Sequence, residues 1–321
     1  MFKSSRFLLG FATLLGASTA FAAPVELGLA SAYNLVSFGD FKSNSNSIGG
    51  NVAVAGDFSA NGFALNGKSL VVGGDLAYRN GSIAGNAYVG GTRDTKGMSI
   101  NGQWLAGASP LDFTALAQQM GKLSSGLAGL GATGSSQSQW GGLHLAGTQS
   151  AVEVFQLTAS DFTGNGWSNL SNLAYGSTLI FNIGGSHLTL SNGMLGGLSG
   201  YNVLLNFYEA ESITFAGIAL DASILAPNAT VKGGNGTIGG NVVAGDWQAQ
   251  LTLLGTRSFQ GTDVAAYGVP EPIQPERPDL EPQLTLPGEA VAEVPEPSQL
   301  ALFGVGLAML CLATRRRKLA A

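Results

Sequence analysis

Cysteine is almost missing from this chain of 321 residues. The single one, Cys311, lies in an apolar stretch near the C-terminus, so the rest can build no disulfide, zinc site or thiol nucleophile. Histidine is nearly as scarce. His144 and His187 are the two present, which removes multi-histidine metal sites and most histidine-based catalysis. Charged side chains are 11% of the total and the net charge is −5. A solvated disordered chain shows the opposite balance, and a mild negative charge argues against nucleic acid as a partner. Proline is not raised alongside the 48 glycines and no G-X-Y period appears, so the glycine is not collagenous. Walker, HExxH and GxSxG signatures are also absent.

What is present is a restated phrase. Residues 48–57 read IGGNVAVAGD and residues 238–246 read IGGNVVAGD. Weaker versions end in Val72-Gly73-Gly74-Asp75, Val89-Gly90-Gly91-Thr92 and Leu225-Ala226-Pro227-Asn228. Val54, Val72 and Val89 are 18 and 17 positions apart, and Leu225 and Val243 are 18 apart. Alternation such as Ile48, Val52, Val54 predicts strands with one apolar side turned inward. The small pair plus Asp or Asn predicts a corner, with glycine supplying positive φ and the carboxylate closing an Asx-turn. One coil of a β-solenoid per repeat satisfies this pattern. A β-sandwich of glycine-rich hairpins satisfies the pattern too.

One segment departs from the β pattern. SPLDFTALAQQMGKLSSGLAGL predicts a helix over about 110–127, with Ser109 as N-cap and Pro110 at its first position. Phe113, Leu116, Met120, Leu123 and Leu127 fall on one face, which needs a surface to pack on.

Both ends read as addresses. Lys3 and Arg6, the apolar run Phe7–Ala17 and the small-x-small site Ala20-Phe21-Ala22 form a secretory signal peptide over 1–22, cut by signal peptidase before Ala23. An N-terminal membrane anchor is the competing reading, though the apolar run is short for a span. At the other end Leu300–Ala313 is uncharged and mostly apolar. As a helix it would cover about 21 Å, short of a ~30 Å hydrocarbon core. Arg315, Arg316 and Arg317 follow it on the side expected to stay cytoplasmic. A plain stop-transfer anchor fits these features. Residues 267–293 are rich in Pro and Glu and read as an extended linker, which contains a second VPEP at 269–272 with no apolar run behind it.

Val294-Pro295-Glu296-Pro297, the apolar run and the arginine cluster, in that order over 294–318, resemble the PEP-CTERM sorting signal. The resemblance implies processing by an exosortase, transient single-pass anchoring through the C-terminal helix, and a Gram-negative cell surface or extracellular matrix linked to polysaccharide. YNLVSFGDF (33–41), IGGNVAVAGDF (48–58), the PLDF helix, YNVLLNFYEAESITFAG (201–217), ASILAPNATV (222–231) and GTIGGNVVAGDW (236–247) together resemble the choice-of-anchor A family of surface domains. That resemblance implies a right-handed parallel β-helix over 23–266 with one flanking α-helix, similar to ice-binding-like adhesins. It supplies no ligand-binding residues.

Catalysis needs two carboxylates facing one cleft. Asp57, Asp75 and Asp246 fall at corners, where capping is their ordinary work. Glu209 and Glu211 are expected to share a strand face and to flank a sugar, hold Ca²⁺ or simply be solvated. The nonapeptide Ca²⁺ repeat is absent, and Gly233-Gly234-Asn235-Gly236 only echoes it. Thr214 and Thr252 are on strands, but no Thr-x-Thr ladder recurs as ice binding would need. Trp140, Trp167, Trp247 and Tyr208 are candidates for stacking on sugars or for ordinary packing. The expectation is therefore a non-enzymatic, adhesin-like structural protein without cofactor or metal, associated with extracellular polysaccharide. A β-helix polysaccharide-modifying enzyme and an ice-binding protein are the alternatives.

Overall fold

The computed structural model describes residues 23–264, apart from 164 and 192–194. The segments read as signal peptide, linker and sorting signal lie outside the described residues. Within them the chain forms coils of three short strands. Leu35–Ser37, Phe41–Asn44 and Ser47–Ile48 make one coil; Val52–Val54, Phe58–Asn61 and Ala64–Leu65 make the next. Two more follow, over Ser69–Val72, Leu76–Arg79 and Ser82–Ile83, then Asn86–Val89, Arg93–Lys96 and Ser99–Ile100. Leu35, Val52, Leu70, Ala87 and Trp104 stand in register, at steps of 17, 18, 17 and 17 residues. The pairings within this large sheet are parallel, not the antiparallel layers of a sandwich, so the fold is the parallel β-helix.

The coils do not stack in chain order. Leu35–Ser37 has Val52–Val54 on one side and Val242–Ala244, part of the strand Val242–Leu253, on the other. The described chain starts in the middle of the stack and winds to one end at Trp104–Leu105. It then passes through the helix Phe113–Ala128 and restarts at Val152–Thr158, the far end. From there it winds back through Thr178–Gly184, Asn202–Asn206 and Ser223–Ile238 to Val242–Leu253. The two restated phrases are thus two rungs apart, with the coil of residues 35–48 between them.

The interior is a continuous apolar file. Trp247 stands in register with Phe41, and Phe41 with Phe58, whose rings stack with centroids 4.3 Å apart. Phe155 and Phe181 repeat this stacking at 5.0 Å toward the far end. One face of the solenoid is also apolar on its outside, where Val36, Ala53, Val71, Ile180, Leu204, Leu225 and Val243 line up. The helix covers this stripe with Leu116, Met120, Leu123 and Leu127. A hydrogen-bonded chain fixes the docking: the Ser124 hydroxyl donates to Asn206 (2.6 Å), Asn206 to Asn182 (2.9 Å), and Asn182 to the Leu127 carbonyl (2.6 Å).

The helix starts later than the sequence suggests. Asp112, not Ser109, is its N-cap, and its carboxylate accepts the Ala115 N–H at 3.0 Å. The Ser109 hydroxyl instead donates to the Leu111 carbonyl, which leaves Pro110 outside the helix. Both residues are good caps by type, and the side chain that reaches the third amide decides.

A smaller sheet closes the far end. Ser135–Gln139 pairs antiparallel with Gly142–Ala146, which pairs parallel with Trp167–Ser171. Leu143 and Leu145 enter the core from it, and Leu170 packs against the core. Amides of Thr133 and Gly134 reach the Val154 carbonyl of the terminal rung. At the opposite end the Arg93 guanidinium lies 4.9 Å from the Trp104 ring, over the last rung.

Candidate binding surfaces

The corner aspartates form a ladder between rungs. The Asp246 carboxylate accepts the N–H of Asp40 (2.8 Å), Asp40 that of Asp57 (2.9 Å), Asp57 that of Asp75 (2.8 Å), and Asp75 that of Thr92 (2.6 Å). This corrects the Asx-turn expected from the sequence: each carboxylate closes the corner of the next coil, not its own. The glycine before each of these residues has a different reason from the expected one as well. Gly39, Gly56, Gly74 and Gly91 do not adopt positive φ. A Cβ on any of them would strike the carboxylate of the neighbouring rung. Bonds from the Thr92 backbone and side chain hold the Asp75 carboxyl below the usual carboxylate range.

Two faces of the solenoid are open. On the broad one, outward side chains stack as Thr189, Thr214, Lys232 and Gln248, and as Lys42, Ser59, Ala77 and Asp94. Its ion pair, Arg79 with Asp94 at 2.7 Å, is exposed and adds little stability. On the narrow one a file of small residues runs Ala219, Thr237, Thr252, then Ser47, Ala64, Ser82 and Ser99. The pairing of Leu253 with Ile48 joins its two halves. Reading along the chain misses this file, because its members recur once per coil. The signal was a small residue before each inward aliphatic one: Ser47-Ile48, Ala64-Leu65, Ser82-Ile83, Ser99-Ile100, Thr237-Ile238 and Thr252-Leu253.

Glu209 and Glu211 do not share a strand face. Both lie between the strands Asn202–Asn206 and Ser212–Ala216. The Glu209 carboxylate accepts the Gly185 N–H at 3.0 Å, which ties one corner to the next rung. Glu153 is fully buried, with its carboxylate bonded by Thr133, Thr148 and Ser150. Burial alone would raise its pKa; those bonds outweigh burial and lower it. Among the described residues, no group of three or more His, Cys, Asp or Glu side chains is arranged to hold a metal ion.

The aromatic candidates separate cleanly. Trp247 is fully buried in the core and offers no stacking surface, and Tyr208 is half-buried. Trp140 and Trp167 are exposed, at 81% and 41%, and both belong to the end-capping sheet and its hairpin turn. His144 meets each of them edge-on, with centroids 6.1 Å from Trp140 and 5.0 Å from Trp167. His187 lies exposed on its strand, its Nδ1 3.0 Å from the Ser186 hydroxyl.

Among the described residues no helix is long and apolar enough to cross a membrane. No curated protein and no solved structure matches the chain. Two family models do. The PEP-CTERM protein-sorting motif matches residues 293–318, which marks the chain as an exported surface protein. The ice-binding-like adhesive domain matches residues 26–253, the span of the β-helix. The chain belongs to this family of ice-binding-like adhesive domains.

Proposed function

We propose that the folded domain is a non-enzymatic adhesin that holds the exported protein to extracellular polysaccharide. The observation that carries this reading is how the carboxylates are used. The corner aspartates, Glu153 and Glu209 are bonded to backbone amides, and the ladder sets successive aspartates along an exposed corner, not across a cleft. What is left for contact is a pair of stiff, open faces, a broad one of mixed polar and charged side chains and a narrow one of small residues. Rigid faces lose little conformational entropy on contact, so many weak contacts can add.

In the same proposal the signal peptide 1–22 is cut at Ala20-Phe21-Ala22 before Ala23, and residues 267–293 space the domain from the membrane. An exosortase reads Val294-Pro295-Glu296-Pro297 and removes the apolar run, with Arg315, Arg316 and Arg317 held inside. The family match over 26–253 followed by the sorting motif over 293–318 supports the placing of an adhesive domain ahead of the sorting signal.

A glycan and matrix-protein array probed with residues 23–266 tests the reading, together with a cleavage assay on the same glycans. Retention on polysaccharide without cleavage is the expected result. Cleavage of any glycan would sink the adhesin reading in favour of a matrix-modifying enzyme. Ice is the second reading, favoured by the hydroxyl file of the narrow face. One file interrupted by Ala64 is a line and not a flat lattice, so thermal hysteresis is expected to be absent.

A further inference from the structure

The outer face of the end-capping sheet is unlike the rest of the surface. Residues paired across strands share a face, so its three rows are Gln139, Gly142 and Trp167; Gln137, His144 and Asn169; and Ser135, Ala146 and Ser171. Leu143, Leu145 and Leu170 occupy the other side, toward the core. No Lys, Arg, Asp or Glu stands in any of the three rows. The broad face of the solenoid, by contrast, carries Lys42, Arg79 and Asp94.

Two tryptophans dominate this face: Trp167 packs over the sheet with part of its ring exposed, and Trp140 is not placed for packing. The Trp167 indole lies over Gly142, where any Cβ would collide with it. Trp140 occupies the first central position of the two-residue hairpin turn, at φ +51°, with Gly141 at +72° after it. Two left-handed residues in succession are the signature of a turn for which Asn-Gly is the default. A bulky side chain in that conformation is strained, and this one extends into solvent. His144 is wedged edge-on beside both indoles, and its Nε2 is shielded with no hydrogen-bond partner. Strain, exposure and an unmet nitrogen converge on one small area without any return within the fold.

The chemistry of the area selects its occupant. Indole faces accept the C–H face of a pyranose ring. Carboxamides both donate and accept, so they match hydroxyl groups. With no Lys, Arg, Asp or Glu in its rows, the face offers no permanent charge to a uronate, a phosphate or a basic group. We propose that this face binds uncharged polysaccharide, stacking sugar rings on Trp140 and Trp167 while Gln137, Gln139 and Asn169 bond the hydroxyls. The proposal rests on the adhesin reading above and adds to it a site and a ligand class.

Binding of the full chain to cellohexaose, laminarihexaose, mannohexaose and an alginate oligomer, followed by tryptophan fluorescence, tests it. At least one uncharged oligomer is expected to bind, with less than a twofold change in affinity between 50 and 500 mM salt, since no charge takes part. Trp140→Asn is the informative variant, because Asn suits the turn. It is expected to keep or raise the melting temperature while weakening binding at least tenfold. Trp167→Ala should weaken binding similarly, and Lys42→Ala should leave it unchanged. Unaltered affinity in Trp140→Asn would overturn the site yet leave the adhesin reading standing. Binding confined to alginate would overturn the ligand class. A change of oligomeric state in Trp140→Asn without a change in glycan affinity would make the face a contact between copies. If none of the oligomers binds, the site falls, and the glycan array alone decides the adhesin reading.

Discussion

Asp57 joins three rungs: its N–H donates to Asp40 below, and its carboxylate accepts from Asp75 above. Asp57→Ala removes the upper bond and is expected to cost about 0.5–1.5 kcal/mol, since the site is exposed. For a domain of this size that is a fall of roughly 1–6 °C in melting temperature. Asp57→Asn keeps an oxygen at the same place and should lie nearer the wild type. Asp75 adds a pH signature. Its folded pKa is depressed, so its contribution is complete above the unfolded value of ~3.9 and disappears as pH falls through the lower folded value. Thermal scans below pH 4 should therefore separate wild type from Asp75→Asn less than scans at pH 7 do. At this scale the sequence revealed where the corners are and not how they close. Gly-Asp looks the same whether the carboxylate turns back on its own backbone or reaches the next coil. The neighbour responsible is 17 or 18 residues away, as the Asp57 bonds show.

The helix is the element most legible in the sequence, because apolar residues at spacings of three and four fit an amphipathic helix and no strand. Leu116, Met120, Leu123 and Leu127 are buried as that spacing requires. Its docking partners were not legible. Asn182 and Asn206 are paired on adjacent rungs, yet each reads alone as a polar break in an apolar strand. Their side chains meet Ser124 and the Leu127 carbonyl because the helix covers that face and shuts out water. Asn206→Ala leaves the Asn182 oxygen and the Ser124 hydroxyl without their partner in a buried site, an expected loss of about 1–3 kcal/mol in chemical denaturation. Met120→Ala removes a fully buried side chain from the same interface, with an expected loss of about 2–5 kcal/mol. Because the two sites share one interface, the losses should not add, and the double variant measures their coupling.

For the whole molecule, the repeat was readable, the choice of β-helix over sandwich rested on the resemblance, and the coil order was not readable. Regular steps of 17 and 18 residues mark the first coils, whereas the pairings Val152–Thr178 and Thr178–Asn202 span 26 and 24. Coils lengthened to those steps no longer keep the period. No local pattern can state that Leu35 pairs with Val242. That pairing nonetheless decides how the domain coheres. The coil of residues 35–48 is an interior rung, and removing the strand Val242–Leu253 would expose its backbone edge and the apolar file behind Phe41. A chain ending at residue 239 keeps its first four coils intact in sequence, and a strictly sequential solenoid would lose only its last rung. In the observed order the loss falls in the middle of the stack and splits it into two pieces, each with an open core. The truncated chain is expected to lose cooperative unfolding altogether. Supplying residues 240–266 as a separate peptide should restore part of it. A cooperative transition like that of the intact domain, without the peptide, would contradict the interior placement of residues 35–48.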